Sequence, residues 1–234
     1  AHVYLLDEAM HMEKIGLIST NLAEKIAMTV TESPYRVTAD IISETCGQSI
    51  SHAGAWDLVQ RLGERISAEE EHAVKQMEAG QAEGKKEIPV LFEEMDGVWL
   101  CMQGKDHKKQ KKQELKVFTM YEGWEAGNKE SRLVNKVMLA GMESSSLFHE
   151  KREALIEKTY NVDEIQQRVL NGDGGNWIRE PYDPETIFQL DRFHIYQEIK
   201  RKLKEKEAQK AVTELFEAKQ IDQMLDTSGF MQTV

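Results

Sequence analysis

Two short strings of this chain carry the residue types that metal-dependent phosphodiester chemistry needs. Each string places an aspartate after an apolar, strand-like run, with a glycine directly after it and a tryptophan a few residues beyond. These aspartates are Asp96 and Asp173. Mg²⁺ prefers oxygen ligands, and one or two carboxylates usually hold it before water and phosphate complete its shell. The repeated pattern therefore indicates two carboxylates that could meet at one metal centre.

The same strings also have a purely structural interpretation. Asp-Gly is a favoured turn of β-hairpins, because glycine adopts positive φ without steric cost. If the strings form a site instead, Gly97 and Gly174 would let a phosphate backbone approach without meeting a Cβ. The double occurrence favours the metal interpretation, but these residues alone leave both open.

Charge and composition exclude several classes of protein. A net charge of −11 over 234 residues argues against a surface covered with nucleic-acid contacts, although local basic patches can still bind phosphates. One such patch contains Lys105, Lys108, Lys109, Lys111 and Lys112, and a second spans residues 200–204. For a lone charge run of this kind, a solvated loop or helix face is the favoured explanation.

Neither the ends of the chain nor its cysteines indicate export or a disulfide framework. No stretch approaches the roughly 20 apolar residues of a membrane span, and residues 1–10 lack a basic leader. Cys46 and Cys101 stand alone, and no pairs of histidine or cysteine lie at zinc-ligand spacing, so zinc is not expected. We expect a cytoplasmic protein without a membrane partner, and the apolar residues near Val234 predict a longer natural chain.

The first third of the sequence is predicted to be helical and to contain a helix-turn-helix. Residues 1–72 form this region and residues 73–87 a linker. A helix starting near Pro34 would end at Cys46-Gly47, and Ser51 would cap the next helix. In a DNA reader Ser51 and His52 would then lie at the groove-facing end. An ordinary helical hairpin fits the same pattern.

The remaining sequence predicts an α/β fold with a mixed sheet. Residues 88–103 and 115–121 are β-prone and flank the lysine-rich segment, and a helix is predicted over 129–160. A short buried strand at Val169-Leu170 leads to Asp173. A strand over 186–190 leads into Asp191, His194 and a helix from Ile195. This core spans residues 88–199, and residues 200–234 begin a helical insertion.

Several of these strings resemble the ISLre-type transposases of bacterial insertion sequences, which are relatives of the Mutator-like DDE enzymes. The strings that carry the resemblance cover residues 89–99, 170–174, 177–178 and 190–194, with weaker similarity at 33–36 and 49–51. The resemblance implies an RNase H-like mixed sheet with flanking helices, preceded by an all-α region that contains the helix-turn-helix.

The resemblance also implies roles for individual residues. Asp96 matches the first catalytic acid, on the first strand, and Asp173 the second, on the fourth strand; both would bind Mg²⁺ or Mn²⁺. Asp191 and His194 match an Asp-x-x-His motif, with His194 near the scissile strand. The implied partners are double-stranded DNA, at transposon ends and target, and further copies of the chain in a homo-oligomer of the complete enzyme.

One element of the family pattern has no counterpart in this sequence. The third acid, a glutamate on a later helix, follows a helical insertion that begins near Lys200, and the four glutamates from Glu198 to Glu214 lie too close to His194. We therefore expect little or no strand cleavage by this polypeptide alone. A non-catalytic DNA-binding remnant or regulator of a transposable element is the alternative, and a helical scaffold without DNA binding is a third.

Overall fold

The computed structural model describes residues 14–15, 18–127, 131–179 and 184–228, which divide into two compact units at Gly80 and Gln81. The boundary lies within the segment 73–87. The predicted helical character of residues 3–13 and the apolar residues 229–234 lie outside the described residues.

The first unit is a small helical assembly. It contains the short strands β1 (Lys14–Ile15) and β2 (Ile18–Ser19) and the helices α1 (Thr20–Glu32), α2 (Tyr35–Cys46) and α3 (His52–Glu78). Ile26, Ile42, Ala55 and Leu58 form its core. The region is helical as predicted, except for the β1–β2 pair, which the helical pattern missed.

Local residue chemistry sets the α2–α3 turn. Gly47 ends α2 with φ of 64°, a left-handed conformation that glycine adopts without strain. The Ser51 hydroxyl accepts a hydrogen bond from the Gly54 amide at 3.0 Å and thereby caps α3. Both predicted boundaries are confirmed, and α3 continues to Glu78.

The second unit is built on one sheet with helices around it. Its strands are β3 (Val90–Cys101), β4 (Lys112–Tyr121), β5 (Trp124–Ala126), β6 (Ser131–Leu133), β7 (Val137–Gly141), β8 (Gln167–Gly172) and β9 (Thr186–Leu190). Its helices are α4 (Gly104–Lys109), α5 (Ser145–Thr159), α6 (Asn176–Arg179), α7 (Arg192–Lys202), α8 (Lys206–Glu217) and α9 (Ile221–Ser228), and a 3₁₀ turn spans Val162–Glu164.

Five of these strands form a mixed sheet in the order β7-β4-β3-β8-β9. β3 pairs antiparallel with β4 and parallel with β8, and β9 extends the parallel half. β5 and β6 pair separately. The predicted mixed α/β architecture is confirmed at this level.

One face of the sheet carries the core of the second unit. Leu91, Met95, Phe118, Phe148 and Ile156 are almost fully buried within it. Because side chains alternate along a strand, the residues of β3 that alternate with Leu91 and Met95 lie on the other face. That alternation leaves one face of β3 available for polar groups.

A buried acid on the core face is fully paired. Both oxygens of the Glu93 carboxylate accept hydrogen bonds from arginines, at 2.6 Å from Arg152 on α5 and 2.7 Å from Arg168 on β8. Arg168 also binds Glu153. These bonds raise the pKa of the Arg168 guanidinium and tie β3, β8 and α5 together.

The helix predicted over 129–160 is wrong in its first half. Leu133 lies in β6 and Val137 in β7, and α5 begins only at Ser145. Leu133 and Val137 are four residues apart, a spacing that suits a helix. Val137 and Leu139 also fit the two-residue period of a strand, and β7 pairs with the outer edge of β4. Pairing with β4 therefore overrides the local pattern.

The last helices form a cluster of their own around Ile199, Val212 and Met224. α7 begins at Arg192, three residues earlier than predicted, because the Asp191 side chain caps it. Among the residues described, none of the helices combines the length and the apolar character that a membrane span requires.

Candidate metal centre

Strand register brings three aspartates to one edge of the sheet. Met95 on β3 pairs with Gly172 on β8, and Gly172 pairs with Leu190 on β9. The next residue on each chain segment is Asp96, Asp173 and Asp191, respectively. Because the three strands run parallel, their following residues lie at the same level.

Asp96, Asp173 and His194 form a group of potential metal ligands. One ligand atom from each side chain lies within 4.8 Å of the other two. The group opens into a cleft of about 310 Å³, whose walls also include Asp191. Both aspartates are exposed and His194 is half-buried.

Each aspartate of the group has one oxygen held and one oxygen without a hydrogen-bond partner among the described residues. The Gly97 amide donates to Asp96 Oδ1 at 2.7 Å, and the Gly175 amide donates to Asp173 Oδ1 at 2.8 Å. These bonds orient the carboxylates and leave Oδ2 of each for a cation. The donor chemistry therefore fits a divalent metal ion.

Asp191 lies beside the group and supports its histidine. Its Oδ2 is 2.9 Å from His194 Nδ1, and its Oδ1 accepts a hydrogen bond from the Phe193 amide at 3.3 Å. The Asp-x-x-His spacing thus serves two purposes: the aspartate caps α7 and fixes the imidazole.

A row of polar side chains lies next to the ligand group in the cleft, and the sequence motifs do not include it. Glu94 and Asn171 pair with each other across β3 and β8, two residues before the two aspartates, and Thr119 faces Glu94 from β4. Tyr121 donates a hydrogen bond to Glu94 Oε1 at 2.9 Å, and burial together with this bond raises the pKa of Tyr121. Counting back by the strand period of two from each aspartate would have found this row.

A buried histidine on α5 supports the segment that follows Asp173. His149 on α5 hydrogen-bonds the Trp177 carbonyl of α6, while its Nδ1 is buried without a partner among the described residues. Burial lowers the pKa of His149. Lys116 lies over the Trp177 ring at 5.7 Å, so the helix that follows Asp173 is held by two side chains.

The two glycines of the motifs have different surroundings. Gly97 follows Asp96 inside β3, so the position of its missing Cβ lies away from the cleft and is occupied by the Glu114 carboxylate. The predicted close phosphate approach at Gly97 is therefore wrong. Gly174 has φ of +83°, which other residues rarely adopt, and it lets the chain turn out of β8 beside Leu190. Asp96-Gly97 is not a turn, because β3 continues to Cys101.

Beyond Asp96 the hairpin of β3 and β4 extends past its neighbours. β8 pairs with β3 only as far as Met95, so residues 97–115 form a two-stranded arm closed by α4. The arm carries all five lysines of the predicted patch, Lys105, Lys108, Lys109, Lys111 and Lys112, and all are exposed. Of these, Lys109 alone has an acidic partner within the described residues, Asp106 at 3.9 Å.

The remaining predicted residues lie outside the group. Ser51 and His52 are exposed at the start of α3 in the first unit. Glu198, considered for the third acid, is paired with Arg201 at 2.6 Å, and Glu214 lies 3.8 Å from Lys210. Among the described residues the ligand group contains no third carboxylate.

Comparison with known proteins shows to which family this chain belongs. A profile described as an uncharacterised protein family, UPF0236, matches residues 1–223. The chain belongs to the UPF0236 family. It is 24% identical to the "UPF0236 protein in vanSb 3'region" of Streptococcus gallolyticus, over 95% of this chain and 49% of that protein.

A second similar UPF0236 protein comes from Caldanaerobacter subterraneus subsp. tengcongensis. It is 23% identical over 83% of this chain and 38% of its own length, and its name joins eleven locus designations. The chain thus spans half or less of the curated relatives it matches.

Proposed function

We propose that this UPF0236 chain is part of a DDE-type transposase that cuts and joins DNA at insertion-sequence ends with a divalent metal ion. The observation that carries the proposal is the pair Asp96 and Asp173, at one level on neighbouring parallel strands. In the described part of the chain, each has one carboxylate oxygen without a hydrogen-bond partner in an open cleft. Counted in chain order among the five strands of the sheet, Asp96 stands on the first strand and Asp173 directly after the fourth, which agrees with what the resemblance implies.

Two further features support DNA as the substrate. The lysine-bearing arm begins directly beyond Asp96, so a duplex whose phosphate lies at the cleft could also contact the arm. The eleven locus designations of one relative describe a protein encoded repeatedly in a single strain, which is typical of elements that copy themselves.

The residues have separable tasks in this proposal. Asp96 and Asp173 would hold Mg²⁺ or Mn²⁺, which would supply activation of the attacking oxygen and stabilisation of the leaving one. His194 lies beside the scissile strand with its ring held by Asp191. The lysines of the arm bind phosphates as point charges and position the duplex.

Strand cleavage by the full-length Streptococcus gallolyticus relative tests the proposal. We expect it to nick or cut duplex DNA carrying its element ends with Mg²⁺ or Mn²⁺, and to lose this activity when the aspartate aligned with Asp96 becomes asparagine. The present chain should show little or no nicking, because the ligand group among its described residues contains no third carboxylate. Intact DNA under all metal conditions, or undiminished cleavage by the variant, overturns the proposal.

A non-catalytic DNA-binding protein is the second candidate function. It is favoured by the exposed start of α3, where Trp56 is 50% exposed and His52 lies beside it. Fluorescence anisotropy with duplex DNA separates the two. If the N-terminal helical region does the binding, Asp96→Asn leaves DNA affinity roughly unchanged, and replacing the arm lysines by glutamine changes neither the affinity nor its salt dependence; a weaker affinity and a flatter salt dependence in the lysine variant favour the transposase proposal.

A further inference from the structure

His194 differs from the other members of the ligand group in the atom it offers. The two aspartates present oxygen, while the histidine presents an imidazole nitrogen. Its Nδ1 is engaged by Asp191, so Nε2 is the nitrogen that remains for a cation. Histidines that bind metals usually have their second ring nitrogen held by a carboxylate in this way.

All three ligands therefore share one arrangement. Each has one atom held, by the Gly97 amide, the Gly175 amide or Asp191, and a second atom that bonds to none of the residues the structure describes. Such outer contacts orient a ligand before the metal arrives. The common pattern makes His194 a member of the centre rather than a neighbour of it.

The spacing of the group is compatible with one ion. Ligands on opposite sides of an octahedral ion at about 2.1 Å would be about 4.2 Å apart. One ligand atom of each side chain lies within 4.8 Å of the other two, so small side-chain rotations suffice to bring all three side chains to one ion.

We propose that His194 is the third ligand of this centre and that its nitrogen makes the site select Mn²⁺ over Mg²⁺. The inference rests on the proposed metal-dependent function, because it concerns the same site. Mg²⁺ is a hard ion that takes oxygen ligands, whereas imidazole is a good ligand for first-row transition ions. Two carboxylates and water complete a shell that Mn²⁺ accepts, since oxygen donors also suit that ion.

The experiment measures metal binding directly, without DNA. Mn²⁺ is titrated into the purified chain by electron paramagnetic resonance, and Mg²⁺ affinity is obtained by competition. Pulsed spectra of the bound Mn²⁺ then report any directly coordinated ¹⁴N nucleus. We expect a nitrogen coupling in the wild type that disappears in His194→Ala and persists in His107→Ala, a matched control because His107 is an exposed histidine on the arm.

Affinities give the second readout. His194→Ala is expected to weaken Mn²⁺ binding about tenfold or more and Mg²⁺ binding by about threefold or less. His194→Glu, which supplies oxygen at similar reach, should retain binding but lower the ratio of Mn²⁺ to Mg²⁺ affinity. Asp191→Asn tests the positioning residue and should weaken Mn²⁺ binding about tenfold. Circular dichroism of each variant establishes that it is folded.

The outcomes separate this inference from the proposed function. A wild-type Mn²⁺ complex without nitrogen coupling, an unchanged affinity ratio in His194→Ala, or no Mn²⁺ binding at all overturns the inference. A nitrogen-coupled Mn²⁺ complex together with intact DNA in the cleavage assay of the full-length relative overturns the transposase proposal and leaves His194 as a ligand.

Discussion

Glu93 and Asp96 are acidic residues three positions apart on the same strand, and the fold uses them in opposite ways. Glu93 faces the core, has a fully buried side chain and binds two arginines. Asp96 faces the cleft, is exposed and has one carboxylate oxygen that accepts no hydrogen bond from any described residue. A satisfied buried charge holds strands together, whereas an exposed and partly satisfied one is available to bind a ligand.

The largest effect is expected from breaking the core-face network. Glu93→Ala leaves the guanidinium groups of Arg152 and Arg168 without their buried partner, and should lower the free energy of unfolding by about 3–5 kcal/mol. Urea denaturation measures this loss. Glu153→Ala is the control, because its side chain is 37% exposed, and it should cost about 1 kcal/mol or less. Equal losses in both variants would contradict the assignment of Glu93 as the centre of the network.

The cleft-face acid should affect ligand binding and leave stability alone. We expect Mn²⁺ at 100 times its Kd to raise the free energy of unfolding of the wild type by about 2.7 kcal/mol. Asp96→Asn should lose most of that gain while unfolding like the wild type in the absence of metal. Thermal unfolding with and without Mn²⁺ checks this, and a variant that is destabilised without metal would show that Asp96 is structural.

A smaller effect is expected at Tyr121, which contacts Glu94 and Phe92. Tyr121→Phe removes the hydrogen bond to Glu94 but keeps the ring that stacks on Phe92. The loss should be about 1 kcal/mol, the usual value of one hydrogen bond. Urea denaturation again measures it. No change would mean that Glu94 is fully satisfied by water in the cleft.

The smallest effect is on the pH dependence of the free energy of unfolding, and it depends on His149. Because burial lowers the pKa of His149 in the folded chain, the unfolded chain takes up a proton first as the pH falls. The stability contribution is therefore present above the ordinary histidine pKa of about 6.5 and is lost below it. His149→Gln keeps an amide donor for the Trp177 carbonyl and should flatten the decline in stability from neutral pH to about pH 5.5. Parallel slopes for both proteins would contradict this role.

The sequence predicted much of the frame and the two candidate acids. Gly47 and Ser51 fixed the helix ends around the first turn through local capping chemistry. The β-prone runs around the lysine patch became β3 and β4, and Asp173 follows the short strand expected before it. These features depend on the residues within a few positions, which is why a single sequence could reveal them.

Other features could not be predicted because they depend on distant partners. The predicted start of α5 was wrong, because β7 forms only by pairing with the edge of β4. The polar row of Glu94 and Asn171 and the pairing of Glu93 with Arg152 join residues far apart in the chain. The register of parallel strands creates such neighbours, and no local pattern contains it.

The sequence by itself determined which side chains can do chemistry: two aspartates after strand-like runs, an Asp-x-x-His motif and a patch of lysines. Only the tertiary structure decided that Asp96, Asp173 and His194 share one cleft and that the lysines lie on an arm beyond it. The physical reason is that residue type sets the chemistry of each ligand atom. The distances between these atoms follow from strand pairing and from the helix that Asp191 caps.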